Sequence, residues 1–371
     1  DYRLLLPTTD RLPMQITFVL PRYLSAPAGG FKVVYEYANH LQARGHRVAV
    51  VHPRNLSPKP GLMQAIKSYF WPYKIHWRDN RPVPWFPIHE RVAVLLVPDL
   101  RESFIPDADV IFATGYQTAY PVDAYGKRKG RKYYLIQHHE TWDGSEADVN
   151  RTWVLPLHKI VIARWLLHLA NDFGEGDRVT YIPNGIDFTH FKTTTPISDR
   201  PPHRIAMMSH PFAWKGTQDG LAALEMAREE IPELEAVLFG IHPRPTGAPH
   251  WIRYVQQPST LDLTALYNSC SIFLHTSWTE GWGLPSAEAM SCGCALVAAA
   301  NRGVLDFAKH EVTALLAPIK QPALLAEQLL RAARDHPLRR RIAEAGTRHI
   351  QQYSWKRAVD SLEGLLLSHS E

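Results

Sequence analysis

The sequence predicts an α/β protein of two domains, each built on a parallel sheet covered by helices on both faces. Three observations lead there. The chain has 371 residues, about twice an ordinary single domain. Short apolar runs of strand character alternate with stretches of helical periodicity. That alternation stops and then restarts: residues 193–204 hold Pro196, Pro201 and Pro202 and no apolar periodicity, as an interdomain linker does. Hydrophobic and charged contents of 45% and 21% suit a soluble globular chain. No run approaches the roughly 20 apolar residues of a spanning helix, which excludes one.

Residues 1–13 lack the basic start, apolar run and cleavage site of a secretory signal and read as an extension. Residues 16–20 are the first expected strand. A loop with Gly29-Gly30 follows, then a helix with Val33, Val34, Tyr37 and Leu41 on one face, then Gly45 and a strand at 47–51, completing one β-α-β unit. Further strands are expected at 92–97, 110–113 and 133–137. After the linker the pattern resumes with a strand at 204–208, a helix at 218–229, strands at 235–239 and 271–275, a helix at 286–290 and a strand at 295–298. An Arg-rich helix is expected over 324–352. The last helix, 355–367, carries Ala358, Val359, Leu362, Leu365 and Leu366 on a face that needs a surface to cover. The domains are thus expected at 1–195 and 196–354, with 355–371 as a separate C-terminal helix.

Three cysteines, Cys270, Cys292 and Cys294, fit neither a disulfide framework nor a zinc site and point to a reducing cytoplasm. Charge is unevenly shared: residues 1–196 hold 24 Lys/Arg against 18 Asp/Glu, the remainder 17 against 18. Such a bias suits a phosphorylated acceptor or lipid headgroups, and equally an ordinary basic surface.

The most informative segment is Glu280-Gly-Trp-Gly-Leu-Pro-Ser-Ala-Glu288. Gly281 and Gly283 let the backbone approach a ligand, Pro285 suits a first helical turn, and the helix start offers free N–H groups to an anion. Glu280 and Glu288 can then accept hydrogen bonds from one polyhydroxylated ligand. The plainer reading is a glycine-rich loop with one exposed and one capping acid. A second element, Met207-Met-Ser-His-Pro-Phe-Ala-Trp-Lys-Gly216, sits after a strand's carboxyl end, where α/β sheets bind ligands.

Residues 280–288 resemble the E-x7-E motif of the retaining family 4 glycosyltransferases, with Trp282 in place of the usual Phe. The resemblance implies that Glu280 contacts the donor sugar, that Glu288 binds the nucleotide ribose, and that the amides of Trp282, Gly283 and Leu284, together with Gly281, help hold sugar and phosphates. Residues 207–216 resemble the family's Gly-Arg-Leu-x-x-x-Lys-Gly loop, whose Arg and Lys clamp the donor diphosphate. Lys215 matches the Lys, but His210 stands for the Arg and Ser209 for the Gly. An imidazole has neither the permanent charge nor the fork of a guanidinium, so the clamp rests more heavily on Lys215.

In the first half, Gly29 and Gly30 match a loop that approaches the donor phosphates. There is no G-x-G-x-x-G fingerprint, which argues against a nicotinamide or flavin site. His138 and His139, in His138-His-Glu-Thr-Trp-Asp143, stand where many family members carry a catalytic His; which of the two faces the reacting centre is open, as is a structural role for both. Asn184-Gly185 reads as a turn, and Asp107-Ala-Asp109 as solvated loop acids. The aromatic and basic run 67–79, with Pro84-Trp-Phe-Pro87, suits an acceptor site, a membrane surface or ordinary packing; nucleic acid is disfavoured for want of a binding motif.

The resemblance is strong over 204–318 and looser over 15–190. It implies the GT-B fold: two facing Rossmann-like domains with a central cleft, and a C-terminal helix crossing back to the first. The implied reaction is transfer of a sugar from a nucleoside diphosphate sugar to an acceptor hydroxyl with retention, needing no metal and no cofactor beyond the donor substrate. The acceptor is a carbohydrate, a lipid-linked molecule or a small molecule. The expected location is cytoplasmic, with peripheral contact of the N-terminal domain at the inner membrane face left open. A sugar-nucleotide epimerase and a catalytically silent sugar-nucleotide-binding protein are the rival readings.

Overall fold

Among the described residues, seven parallel strands form the first sheet: β1 (Gln15–Val19), β2 (Arg47–Pro53), β3 (Ala93–Val97), β4 (Val110–Ala113), β5 (Arg131–Ile136), β6 (His158–Val161) and β7 (Val179–Tyr181). They lie in the order β3-β2-β1-β4-β5-β6-β7. The computed structural model describes residues 13–56 and 83–369. The expected extension, as far as Leu12, and the 67–79 run lie outside the described residues. Ile16, Phe18 and Val19 are buried on both faces of β1, as a parallel strand between helical layers requires. Phe18 stacks on Phe112 at 4.7 Å and Phe112 on Tyr133 at 5.3 Å, a ladder across β1, β4 and β5.

Strands β6 and β7 are absent from the sequence expectation. Strand β6 opens His158-Lys159, and the buried Lys159 ammonium pairs with the buried Glu175 carboxylate at 2.6 Å. A paired charge inside looks like a surface residue in sequence. Strand β7 has three residues, too few for a period to show.

The second sheet contains β8 (Arg204–Met208), β9 (Glu235–Gly240), β10 (Arg253–Gln256), β11 (Ile272–His275), β12 (Ala295–Ala299) and β13 (Ala314–Ala317), in the order β10-β9-β8-β11-β12-β13. This is the doubly wound arrangement, in which strand order reverses between the first strand and the fourth. The expected Arg-rich helix is in fact two, Pro322–Arg334 and His336–Ile350. The break falls at Asp335, whose side chain caps the second helix by accepting from the Leu338 N–H, with Pro337 in that helix's first turn.

The chain divides into Asp1–Pro183 with Trp355–Glu371, and Asn184–Ser354. The first boundary falls before the expected position at residue 195, because residues 191–200 are bonded to the second unit. Asn268 accepts from the Thr194 and Thr195 N–H groups and donates to the Lys192 carbonyl. The buried Arg200 guanidinium donates to the carbonyls of Thr195, Tyr267, Cys270 and Cys292. Asn184 is itself buried rather than at an exposed turn, and the next residue but one, Ile186, donates its N–H to Tyr353 at 2.9 Å.

The last helix, Trp355–Ser368, belongs to the first unit, so its apolar face has found its surface. Trp355 meets the edge of Tyr37 at 5.2 Å. Arg44 pairs with Asp360 at 2.5 Å and Glu363 at 2.7 Å, and His46 meets Glu363 at 2.9 Å. Burial alone would raise the Glu363 carboxyl, but the bonds from His46 and Arg44 outweigh it and hold it below the usual range. A carboxyl depressed in the folded state adds stability above its unfolded value, and that stability is lost as pH falls through the folded one. Glu363→Gln is therefore expected to cost about 1–2 kcal/mol at pH 7 in denaturant unfolding, with the difference from wild type closing as acid protonates this carboxyl in the folded state.

Candidate functional site

In the second unit, β8 and β11 are hydrogen-bonded neighbours on either side of the order reversal. The loops leaving their carboxyl ends, 209–216 and 276–283, therefore emerge side by side. They are also tied together. Thr276 Oγ1 donates to the Lys215 carbonyl at 2.8 Å, and the Trp278 N–H donates to the Trp214 carbonyl at 2.7 Å. Gly216 ends a short turn at φ +64°, and a Cβ there would sit 2.1 Å from the Thr276 carbonyl oxygen. Only glycine fits both the conformation and the space.

This tie places Lys215 Nζ 2.7 Å from Glu280 Oε1, with both side chains mostly buried. Burial pushes the Glu280 carboxyl up, but Lys215, and with it His275 and Ser277, more than offset this, so Glu280 stays ionised. His210 lies nearby with its ring 4.6 Å from Phe212 and 5.0 Å from His242. Its pKa is lowered to about 4, first by burial and then by Lys215 and His242. The Phe212 N–H approaches His210 Nδ1 at 3.2 Å, which assigns Nδ1 as acceptor and leaves the proton on Nε2. At neutral pH His210 is one uncharged donor.

The 280–288 segment does what its glycines suggest at one position. Gly283 has φ +105° and precedes the helix Leu284–Ser291, with Pro285 in its first turn. Trp282 points its indole inward, 4.9 Å from Phe307 and 5.3 Å from Tyr353, so this residue offers a ligand only its backbone. Glu288 is buried in the same helix.

One contributor escaped the sequence reading. Buried Asn301 donates to the Ser277 carbonyl at 3.0 Å and to His275 Nε2 at 2.8 Å, while its amide oxygen accepts the N–H groups of Gly303 and Val304. Gly303 in turn packs where a Cβ would meet the Glu280 carbonyl at 2.6 Å. Asn301 thus fixes the loop after β12 against the loop that carries Glu280. The sequence signal, Asn301-Arg-Gly303, reads only as a turn.

In the first unit, Gly29 and Gly30 begin the helix Gly29–Ala43 after β1. Gln137, just past β5, donates its side-chain amide to the Gly30 carbonyl at 2.9 Å and lies 3.3 Å from where a Gly30 Cβ would be. His138 packs its ring against Trp142 at 4.4 Å and Trp165 at 5.2 Å. His139 turns the other way, its Nδ1 accepting from the buried Trp153 indole N–H at 3.2 Å. Beside them, Glu140 accepts the Tyr116 N–H at 2.9 Å, and burial raises its carboxyl to about 7 against the opposing pull of that bond.

Asp107 and Asp109 are less simply solvated than expected. Asp107 pairs with Arg128 and Lys129, and Asp109 accepts the Gln15 N–H at 2.7 Å. Trp85 and Phe86 pack on the buried Tyr35 at 5.5 and 5.4 Å, so that part of the aromatic run serves the core. Among the described residues no three His, Cys, Asp or Glu side chains form a metal-binding group, and no helix is long and apolar enough to cross a membrane.

Two parallel-sheet Rossmann-like units of this kind define the GT-B fold, and solved structures agree. The chain superposes on Anabaena Alr3699/HepE, solved with UDP and glucose, at a TM-score of 0.72 with 17% identity, covering 96% of this chain and 100% of that one. Sucrose-phosphate synthase (tll1590) from Thermosynechococcus elongatus gives 0.72 with 15% identity, covering 95% and 98%. More particularly, residues 198–349, which fall within the second unit, match the family Glycosyl transferases group 1. Among curated relatives, the D-inositol 3-phosphate glycosyltransferase of Salinispora arenicola (strain CNS-205) is 33% identical over 116 residues, 31% of this chain and 26% of the relative. That of Corynebacterium efficiens is 24% identical over 217 residues, 51% of this chain and 50% of the relative. The matches thus span from about a quarter to half of these relatives' length.

Gly216→Ala is expected to lower stability by about 2 kcal/mol or more, because the added methyl has only backbone to displace. A thermal melt unchanged from wild type would show that the tie between the two loops is not as tight as described.

Proposed function

We propose that the chain is a retaining glycosyltransferase that moves a sugar from a nucleoside diphosphate donor to an acceptor hydroxyl without a metal. The observation that carries this reading is the Lys215–Glu280 pair, held at the order reversal of a group 1 glycosyl transferase domain. Without donor, ammonium and carboxylate satisfy each other. With donor, the ionised Glu280 accepts from sugar hydroxyls, and Lys215 and the neutral His210 Nε2–H meet the diphosphate. Glu288, in the helix behind the glycine loop, takes the ribose.

In a front-face displacement the bond from the anomeric carbon to the diphosphate oxygen breaks as the acceptor oxygen bonds to the same face. The acceptor's proton passes to the departing diphosphate. The protein's work is to position the partners and to stabilise the growing negative charge, in which Lys215 carries the larger share because His210 is uncharged. His138 is the better candidate for the acceptor side, since His139 is engaged by Trp153. UDP in the Anabaena structures supports testing uridine donors first, and the inositol phosphate relatives together with the basic first half support a phosphorylated acceptor.

Calorimetry with a panel of UDP, GDP, dTDP and ADP sugars tests the donor site. One nucleotide is expected to bind, and Lys215→Ala to weaken it by about 10- to 100-fold; an unchanged affinity in Lys215→Ala removes the lysine from the site. Since His210 stays neutral well above its value of about 4, donor affinity is expected to be level between pH 6 and 8. An affinity rising as pH falls toward 6, and levelled by His210→Gln, would show the imidazole charging against the diphosphate.

A further inference from the structure

The function above makes no use of the Arg-rich helix His336–Ile350. A cavity of about 690 Å³ lies between it and residues 197–202, lined by Arg200, Arg339, Arg340, Arg341 and Arg348, with Glu344 as its one carboxylate. Pro202, in its wall, stands just before the amino end of β8, whereas Lys215 lies beyond the carboxyl end of that strand. The groove is therefore at the opposite edge of the sheet from the donor loops.

Its charge is only partly neutralised. Arg340 pairs with Glu344 at 2.7 Å, and Arg341 reaches the Glu311 carbonyl at 2.7 Å and its carboxylate at 3.8 Å. The exposed side chain of Arg348 meets no hydrogen-bonding or ion-pairing partner among the described residues. Arg339 is only 5% exposed. It donates from Nη1 to the carbonyls of Ala332 and Ala333, but its buried Nε–H has no partner among the described residues. A guanidinium out of water with an unmade bond is costly unless something supplies an acceptor.

We infer that this groove binds a phosphate-bearing ligand, with Arg339, Arg340 and Arg348 as its donors and Arg200 adding charge while its own N–H groups stay on carbonyls. Planar guanidiniums match phosphate oxygens in pairs. A concave groove of this volume fits a discrete phosphorylated molecule better than a flat bilayer.

The test is calorimetry of the whole chain with inorganic pyrophosphate at low salt, in a Lys215→Ala background so that the donor loops do not report. One pyrophosphate is expected to bind. Arg340→Ala with Arg348→Ala, both at exposed positions, is expected to weaken it by about tenfold or more, and Glu344→Gln to tighten it. Sedimentation with phosphatidylglycerol against phosphatidylcholine vesicles separates the sources: capture by the former that needs the two arginines, with no pyrophosphate binding, assigns the phosphate to a lipid headgroup. Binding of neither probe, or binding indifferent to both arginines, overturns the inference.

Discussion

The reversal of strand order between β8 and β11 is the constraint from which the candidate site follows. In a parallel sheet every strand's carboxyl end lies on one edge, and crossovers on either side of the first strand leave in opposite directions. At that single place two loops emerge next to each other with no helix packed between them. Lys215 and Glu280, 65 residues apart in sequence, meet there at 2.7 Å. The bonds between Thr276 and Lys215 and between Trp278 and Trp214 then turn proximity into fixed geometry.

Around that point the second unit is held by polar side chains inside it rather than by apolar packing alone. Arg200 binds the segment before β8 to the carbonyls around β11 and β12, Asn268 binds residues 192–195, and Asn301 binds the loop after β12 to the end of β11. Each is satisfied by several partners, which is what makes a buried amide or guanidinium tolerable. The three thiols nearby are packing groups: burial raises Cys270 to about 11 and Cys292 to about 12, so neither is a thiolate.

How much of this the sequence disclosed depended on whether a role is local. The glycines and Pro285 of 280–288 shape their own loop and helix start, and Gly216 takes its left-handed φ within one turn, so their pattern was legible although their partners were not. The α/β alternation was legible for the same reason. Asn301, Gln137 and Glu140 were not, because each acts on backbone brought to it by the fold, from 24, 107 and 24 residues away. The buried pair Lys159–Glu175 hid β6 behind two charges, and a cap at Asp335 divided what apolar periodicity alone read as one helix. The difference in surroundings between His138 and His139 is likewise tertiary: the indole N–H of Trp153, on a helix 14 residues along, holds His139.

Trp282, where the motif that residues 280–288 resemble usually has Phe, shows how a residue inside a glycine-rich loop can answer to the rest of the fold. Its indole rests on Tyr353, and Tyr353 is itself held at both ends, its hydroxyl donating to the Asp306 carbonyl at 3.1 Å and its carbonyl accepting the Ile186 N–H at 2.9 Å. Ile186 and Tyr353 lie close to the two points where the chain passes into and out of the second unit. The backbone at 281–283 is therefore buttressed, through Trp282 and Tyr353, by the stretches where the chain enters and leaves the second unit. With the packed indole on one side and the φ of +105° at Gly283 on the other, the loop is held by packing and by backbone conformation together.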